Sequence, residues 1–201
     1  MRELILKMSM SLDAFVGAAD GDIKWMFGAD PEAVAWTVEI VRDASLHIMG
    51  SRTFREMAAF WPTSTEVFAP PMNGIPKAVF SRQGPAILQA APARGEPGQA
   101  LALQPGAESW AEAYVASGDL AAEIARLKAQ DGRPIIAHGG AGFARSLVAR
   151  GLVDQFALLV HPVALGRGLP IFSDLAAPRR LKLVSSKAFP GGAQAQIFRP
   201  A

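Results

Sequence analysis

Three short stretches carry the residue types of an anion site. Gly50, Ser51, Arg52 and Thr53 follow the apolar "SLHIM", Ser81 and Arg82 follow "KAVF", and Gly139, Gly140, Ala141 and Gly142 follow "RPIIAH". Each group stands where a predicted strand stops, and the first and third open a segment with helical apolar spacing. The first turn of a helix offers N–H groups without an intrahelical partner, and glycine lets a ligand approach the backbone. Two such helix starts suit a pyrophosphate, and Arg52 with Arg82 suggests an additional phosphate. Taken singly, each piece has a plainer reading, because a glycine after a strand is usually just a turn. Their recurrence at neighbouring strand ends carries the inference.

Other chemistries lack their residues. His47, His138 and His161 all sit in apolar strands at no metal-ligand spacing, so they read as core histidines. There is no Gly-x-Ser-x-Gly elbow of a serine hydrolase. The stretch "GGAGFA" is shorter than the Gly-x-Gly-x-x-Gly fingerprint and lacks its later acidic partner, which argues against an ordinary Rossmann domain. The absence of cysteine removes disulfides, thiolate nucleophiles and thiolate metal sites. Twenty basic against 18 acidic side chains, with no basic run, give a nucleic-acid role no electrostatic support. No apolar run approaches the roughly 18 residues of a membrane span, and "MRELILKMSM" does not read as a signal peptide. The expectation is a soluble, cytoplasmic protein with a small-molecule substrate and neither nucleic acid nor membrane as partner.

The elements that must position these turns follow from periodicity. "ELILKMSM" alternates, with Leu4, Leu6, Met8 and Met10 on one face, and predicts a strand. "SLDAFVGAADGDIKW" reads as a long loop. Asp30-Pro31 has the form of an N-cap and first-turn proline, and Val34, Val38 and Val41 continue a helix to about Ala44. "SLHIMG" is a short strand, "SRTFREMAAF" a short helix and "KAVFS" another strand. From Gln83 to about Gly118, prolines, glycines and alanines predict a surface excursion, with a strand near "ALALQ" and an insertion at about residues 83–108. Asp119 caps a helix carrying Leu120, Ile124 and Leu127. "RPIIAH" is a strand, "AGFARSLVARG" a helix closed by Gly151, and "DQFALLVHPVAL" a central strand. "RLKLVSSKAF", "PGG" and "AQAQIFRP" form a closing antiparallel hairpin. The order predicts one α/β domain with a mixed sheet, parallel in its middle and antiparallel at one end. Ligands of such sheets bind beyond the carboxyl ends of the parallel strands, where the three turns lie.

The chain resembles the dihydrofolate reductase-like superfamily, and within it the stand-alone proteins similar to the reductase domain of the riboflavin-biosynthesis deaminase-reductase. The matching stretches are "MSMSLDAFVGAADGDIKW", "IMGSRTFREMAAFWP", "KAVFSR", "GDLAAEIARLKAQ" and "GGAGFARSLVARGLVDQFALLVHPVALGRGLPIF". The resemblance implies a three-layer fold and NADPH as cofactor. It places Gly50, Ser51, Arg52 and Thr53 at the pyrophosphate and neighbouring phosphates, and Ser81 and Arg82 at the adenosine 2′-phosphate. Gly139, Gly140, Ala141 and Gly142 would line the pyrophosphate and nicotinamide ribose. Ala14, Val16 and the loop to Trp25 would cover the nicotinamide and substrate as a lid. The implied reaction is hydride transfer to a small planar heterocycle, pterin-like or ribosylamino-pyrimidine-like. The alternative is a non-catalytic module that keeps the NADP(H) cleft.

Two carboxylates compete to supply the proton. Asp13 ends the first strand and faces the predicted cleft, although it also suits bracing the loop through backbone N–H groups. Asp30 follows Trp25 by five residues, the spacing of the pteridine-binding acid in dihydrofolate reductase, yet it is also explained as a helix cap. The zinc deaminase half of the riboflavin enzyme has no counterpart in a chain without cysteine. The closing hairpin carries Leu181, Leu183, Val184, Ile197 and Phe198 toward a sheet edge with few charges, and the resembling proteins are commonly dimeric, so a homodimer is expected.

Overall fold

The computed structural model describes residues 1–28, 30–89 and 102–201. Its strands are β1 (Leu4–Met10), β2 (Phe15–Ala18), β3 (Leu46–Gly50), β4 (Lys77–Phe80), β5 (Tyr114–Ala116), β6 (Ile135–Ala137), β7 (Gln155–Val160), β8 (Gly168–Pro170), β9 (Leu181–Ala188) and β10 (Gln194–Pro200). The helices are α1 (Pro31–Arg42), α2 (Ser51–Ala58), α3 (Ala69–Gly74), α4 (Leu120–Lys128) and α5 (Ala141–Ala149). Eight strands form one sheet in the order β5-β4-β3-β6-β1-β7-β10-β9. The pairs from β5 to β7 are parallel, and β10 runs antiparallel to both β7 and β9. This is the expected mixed sheet with an antiparallel end.

Strand alternation sends side chains to two faces. Leu4, Leu6, Met8 and Met10 of β1 share a core with Ile124 and Leu127 of α4 and Leu147 and Val148 of α5. Ile5 faces the other way, with Ile136 and Ala157, against Trp36 and Ile40 of α1. Met49 and Val79 continue that face beneath Val41, Met72 and Trp110. Helix starts follow local chemistry. Asp30 accepts the Glu32 N–H at the head of α1, and Asp119 accepts those of Ala121 and Ala122 at the head of α4.

Three differences from the sequence reading stand out. The loop after β1 contains β2, which pairs antiparallel with β8 through Phe15 and Pro170 and through Ala18 and Gly168. The strand expected near "ALALQ" falls largely outside the described residues, and 102–104 carry no regular structure; β5 lies later, at Tyr114–Ala116. The strand expected to reach Leu165 stops at Val160, because Pro162 has no N–H to continue the ladder. No helix among the described residues is long and apolar enough to cross a membrane.

The α1 face holds buried polar groups. His47 is fully buried on β3 opposite Lys77, and its Nε2 lies 3.2 Å from the Val41 carbonyl, which fixes Nε2 as the protonated nitrogen. The His138 ring stands edge-on to it, with centroids 4.6 Å apart. Burial pushes the His47 imidazole down from 6.5 to about 3, and the Lys77 charge adds to this. The unfolded chain therefore binds a proton that the folded chain refuses, so stability is full above pH 6.5 and declines as pH falls toward 3. The expected loss from His47 is about 2 kcal/mol at pH 5. Urea unfolding of the wild type and His47→Gln at pH 7 and pH 5 checks this. The variant should lose distinctly less between the two pH values, and an equal loss contradicts the assignment.

Candidate functional site

The exits of β3 and β6 lie side by side. The His138 N–H donates to the Ile48 carbonyl at 3.0 Å, and the Gly50 N–H donates to the Gly139 carbonyl at 3.2 Å. Helix α2 begins at once on Ser51 and α5 on Ala141. Neither start has a side-chain cap, since the capping positions are Gly50 and Gly140. This contrasts with the aspartate caps of α1 and α4. The first N–H groups of α2 and α5 therefore remain available to an external acceptor, and both helix dipoles favour negative charge there.

The glycine pair has a nearer reason than ligand approach. A Cβ at Gly139 would stand 3.0 Å from the Met8 sulfur, and one at Gly140 would stand 2.9 Å from the Thr53 hydroxyl. Gly139 also adopts φ +87°. A Cβ at Gly50 would meet the Phe143 Cβ at 3.1 Å, whereas at Gly142 it would meet nothing within 4 Å. The chain's own close packing thus occupies the first three positions, and open space begins at Gly142.

Arg52 is exposed, pairs with Glu56 at 3.1 Å and reaches toward Gly21, so the loop after β1 lies beside the start of α2. Ser81 is buried; its N–H donates to the Ala116 carbonyl at 3.0 Å, and its hydroxyl accepts the Gln83 N–H at 3.1 Å. Arg82 is exposed and forms no ion pair among the described residues. Val16 is buried in the main core, and Ala14 is exposed with φ +67°, in the turn between β1 and β2.

Both candidate carboxylates are engaged with the protein. Asp13 accepts the Ser11 hydroxyl at 2.6 Å and the N–H groups of Leu165 and Gly166 at 3.0 and 2.7 Å. These bonds, the Ser11 hydroxyl foremost, hold its carboxyl below the ordinary carboxylate range. Asp30 accepts the N–H of Glu32 and, on its other oxygen, that of Gly191 in the β9–β10 turn, both at 2.8 Å. The first is a brace between the loop after β1 and residues 165–166; the second is a helix cap tied to the hairpin.

A polar group on β1 was absent from the sequence reading. Lys7 breaks the apolar face that Ile5 begins, and burial lowers its ammonium to about 8. Trp25, half-buried in a single 3₁₀ turn, stands edge-on to His161, with centroids 5.5 Å apart. Trp25 Nε1, His138 Nε2 and His161 Nε2 are buried without hydrogen-bond partners. Lysine within an otherwise alternating strand was the signal available. The two histidines, each ending an apolar run, read as ordinary core residues.

The sequence matches the family described as RibD C-terminal domain over residues 2–195. The chain belongs to this family. Among its relatives, the uncharacterized Bacillus subtilis (strain 168) protein YyaP is 26% identical over 197 residues, 95% of this chain and 91% of YyaP. Solved structures that share the fold include two of particular note. One is a diaminohydroxyphosphoribosylaminopyrimidine deaminase/5-amino-6-(5-phosphoribosylamino)uracil reductase from Thermotoga maritima, with TM-score 0.68, 18% identity, and coverage of 100% of this chain and 57% of that one. The other is dihydrofolate reductase from Enterococcus faecalis complexed with NADP(H), with TM-score 0.60, 11% identity, and coverage of 98% and 96%. The RibD C-terminal domain of this chain thus has the dihydrofolate reductase-like architecture, with its uncapped helix starts at the strand ends.

The Asp13 brace is testable by amide exchange. Asp13→Ala should speed exchange at Leu165 and Gly166 while leaving the core strands protected. In the wild type the brace should persist at neutral pH and loosen only as pH falls below the ordinary carboxylate range. Unchanged exchange at both amides in the variant contradicts the brace.

Proposed function

We propose that this RibD C-terminal domain is an NADPH-dependent reductase of a small planar heterocycle, pterin-like or ribosylamino-pyrimidine-like. The observation that carries the reading is the pair of uncapped helix starts on Gly50 and Gly140, held side by side at the exits of β3 and β6. In the proposed arrangement the N–H groups of Ser51, Arg52 and Thr53 and those of Ala141 and Gly142 hold the pyrophosphate. Ser81 and Arg82, at the exit of β4, take the adenosine 2′-phosphate. The loop carrying Ala14, Val16 and Trp25 covers the nicotinamide end and excludes water. NADPH bound there supplies the hydride. The family and the fold shared with an NADP(H)-bound dihydrofolate reductase support this reading.

The proton is less simply placed. Every carboxylate oxygen of Asp13 and Asp30 already accepts a hydrogen bond from the protein. That observation favours a second reading, a non-catalytic NADP(H)-binding module. Screening for NADPH oxidation with dihydrofolate and with ribosylamino-pyrimidines separates the two. Turnover of either supports the reductase, and saturable NADPH binding without any turnover supports the module.

The cofactor assignment has its own check. NADPH and NADH titrations, followed by fluorescence of the four tryptophans, should show tighter binding of NADPH. Arg82→Ala should weaken NADPH by roughly tenfold or more, the worth of one charge-assisted contact, and leave NADH nearly unchanged. Equal weakening removes Arg82 from the 2′-phosphate.

The reading includes a homodimer. β9 is an edge strand, exposed over almost its whole length, with Leu183 and Val184 50% and 53% exposed. A second copy laid along it would cover this apolar edge. Light scattering coupled to size exclusion should give twice the 21.3 kDa chain mass at micromolar concentration. A mass of one chain contradicts the dimer.

A further inference from the structure

We infer that the chain carries a second small-molecule site at the C-terminal end of α5, where Arg179 and Arg180 receive an oxyanion attached to an apolar body. The inference goes beyond the cofactor reading and does not depend on it. The start of α5, at Ala141, lies at the exit of β6, and the nine residues of the helix span about 13 Å, so the two sites are separate.

The chain between β8 and β9 passes the end of α5 on its way to the sheet edge and leaves a cavity of about 490 Å³ there. That volume is in the range of small-molecule pockets. Ala149 of α5, Leu175, Pro178 and Pro200 give it apolar walls, and Arg179 and Arg180 supply its charge. No aspartate or glutamate lines it. The acids beside α5 are already taken: Asp174 pairs with Arg145 at 3.1 Å, and Asp119 with Arg150 at 3.4 Å. Arg179 and Arg180 form no ion pair among the described residues.

Arg179 is held in place before any ligand arrives. Its Nη1 donates to the Val148 carbonyl, in the last turn of α5, at 3.0 Å. The guanidinium lies over Gly151, where a Cβ would stand 3.2 Å from its Nη2. Gly151, at φ +68°, both closes the helix and leaves the room that the guanidinium occupies. A guanidinium fixed in advance loses less conformational entropy on binding than a free one. Its bond to Val148 also answers an electrostatic objection. A helix C-terminus carries partial negative charge and repels an anion, and here a positive charge sits directly on it. Guanidinium has five N–H donors, so one spent on Val148 leaves the others for a ligand. Arg180, next in the chain and exposed, adds a second positive charge. Two guanidiniums, apolar walls and no acid match a carboxylate or phosphate on an aromatic or hydrocarbon body. An amine would meet only like charge.

Calorimetric titration of the full chain with phenyl phosphate and benzoate, with benzamide as the neutral isostere and inorganic phosphate as the bare anion, reads the site. At least one of phenyl phosphate and benzoate should bind, and should bind equally well in millimolar NADPH. The preferred one identifies a phosphoryl or a carboxyl ligand. Benzamide should bind much more weakly than the preferred anion, and inorganic phosphate more weakly than phenyl phosphate, because it leaves the apolar walls uncovered. Arg180→Ala keeps the Arg179–Val148 bond and should weaken the anion about fivefold or more, the worth of one exposed charge-assisted contact. Arg179→Ala should weaken it at least as much. Far-UV circular dichroism confirms that each variant is folded, and the charge reversal Arg180→Glu serves if Arg179→Ala is not. Displacement of the anion by NADPH, wild-type affinity in Arg180→Ala, benzamide or inorganic phosphate binding as tightly as the preferred anion, or no binding of any anion at millimolar concentration overturns the inference. Anion binding in a chain that fails to bind NADPH would leave this site standing and remove the cofactor reading.

Discussion

The close approach of the β3 and β6 exits is a constraint on which the rest of the site depends. A side chain at Gly139 would collide with Met8, and one at Gly140 with Thr53. Only a backbone without Cβ atoms lets the Gly50 N–H reach the Gly139 carbonyl. With that contact made, α2 and α5 start beside each other, and neither glycine can supply a capping oxygen. The same two positions therefore create the packing and leave the helix starts open to an external acceptor. A side chain at either position would force the turns apart and separate the two groups of N–H donors.

Electrostatics divides the cleft in two. At the exits of β3, β4 and β6 lie helix N-termini with the exposed arginines 52 and 82. On the α1 side lie Lys7 and two imidazoles kept neutral by burial. The two carboxylates that might have offset this positive character are turned to structural work. Asp13 ties the loop after β1 to Leu165 and Gly166, and Asp30 ties the head of α1 to the β9–β10 turn. Together with the β2–β8 pairing, the Asp13 brace anchors the first part of the loop after β1, from Asp13 to Ala18. The segment between Ala18 and Trp25 remains the part best able to move over a ligand, since short loops outside regular pairing open at low cost.

Much of this was legible in the sequence where the physics is local. The alternation of Leu4, Leu6, Met8 and Met10 fixed the buried face of β1, and Asp30-Pro31 and Asp119 announced helix starts that the structure keeps. The strand-end turns were readable because glycine, serine and arginine cluster there. What was not legible depends on distant partners. β2 and β8 are four and three residues long and separated by about 150 residues, too short and too remote for periodicity to find. The reason for Gly139 and Gly140 lies in Met8 and Thr53, far away in sequence, so the pair read as room for a ligand when the nearest claimants are the protein's own side chains. His138 and His161 looked like core residues because each ends an apolar run, and only the assembled sheet shows that they meet Lys7 and Trp25.

The central claim is that the strand-end turns, acting through backbone N–H groups, receive the cofactor. The most direct measurement is residue-resolved amide NMR or hydrogen exchange with and without saturating NADPH. The account predicts perturbation and protection concentrated at Ser51–Thr53, Ser81–Arg82 and Gly140–Gly142, with the opposite end of the sheet, at Ile135 and Gln155, unaffected. No change at those turns on saturation, or changes centred at the opposite end of the sheet, would contradict it.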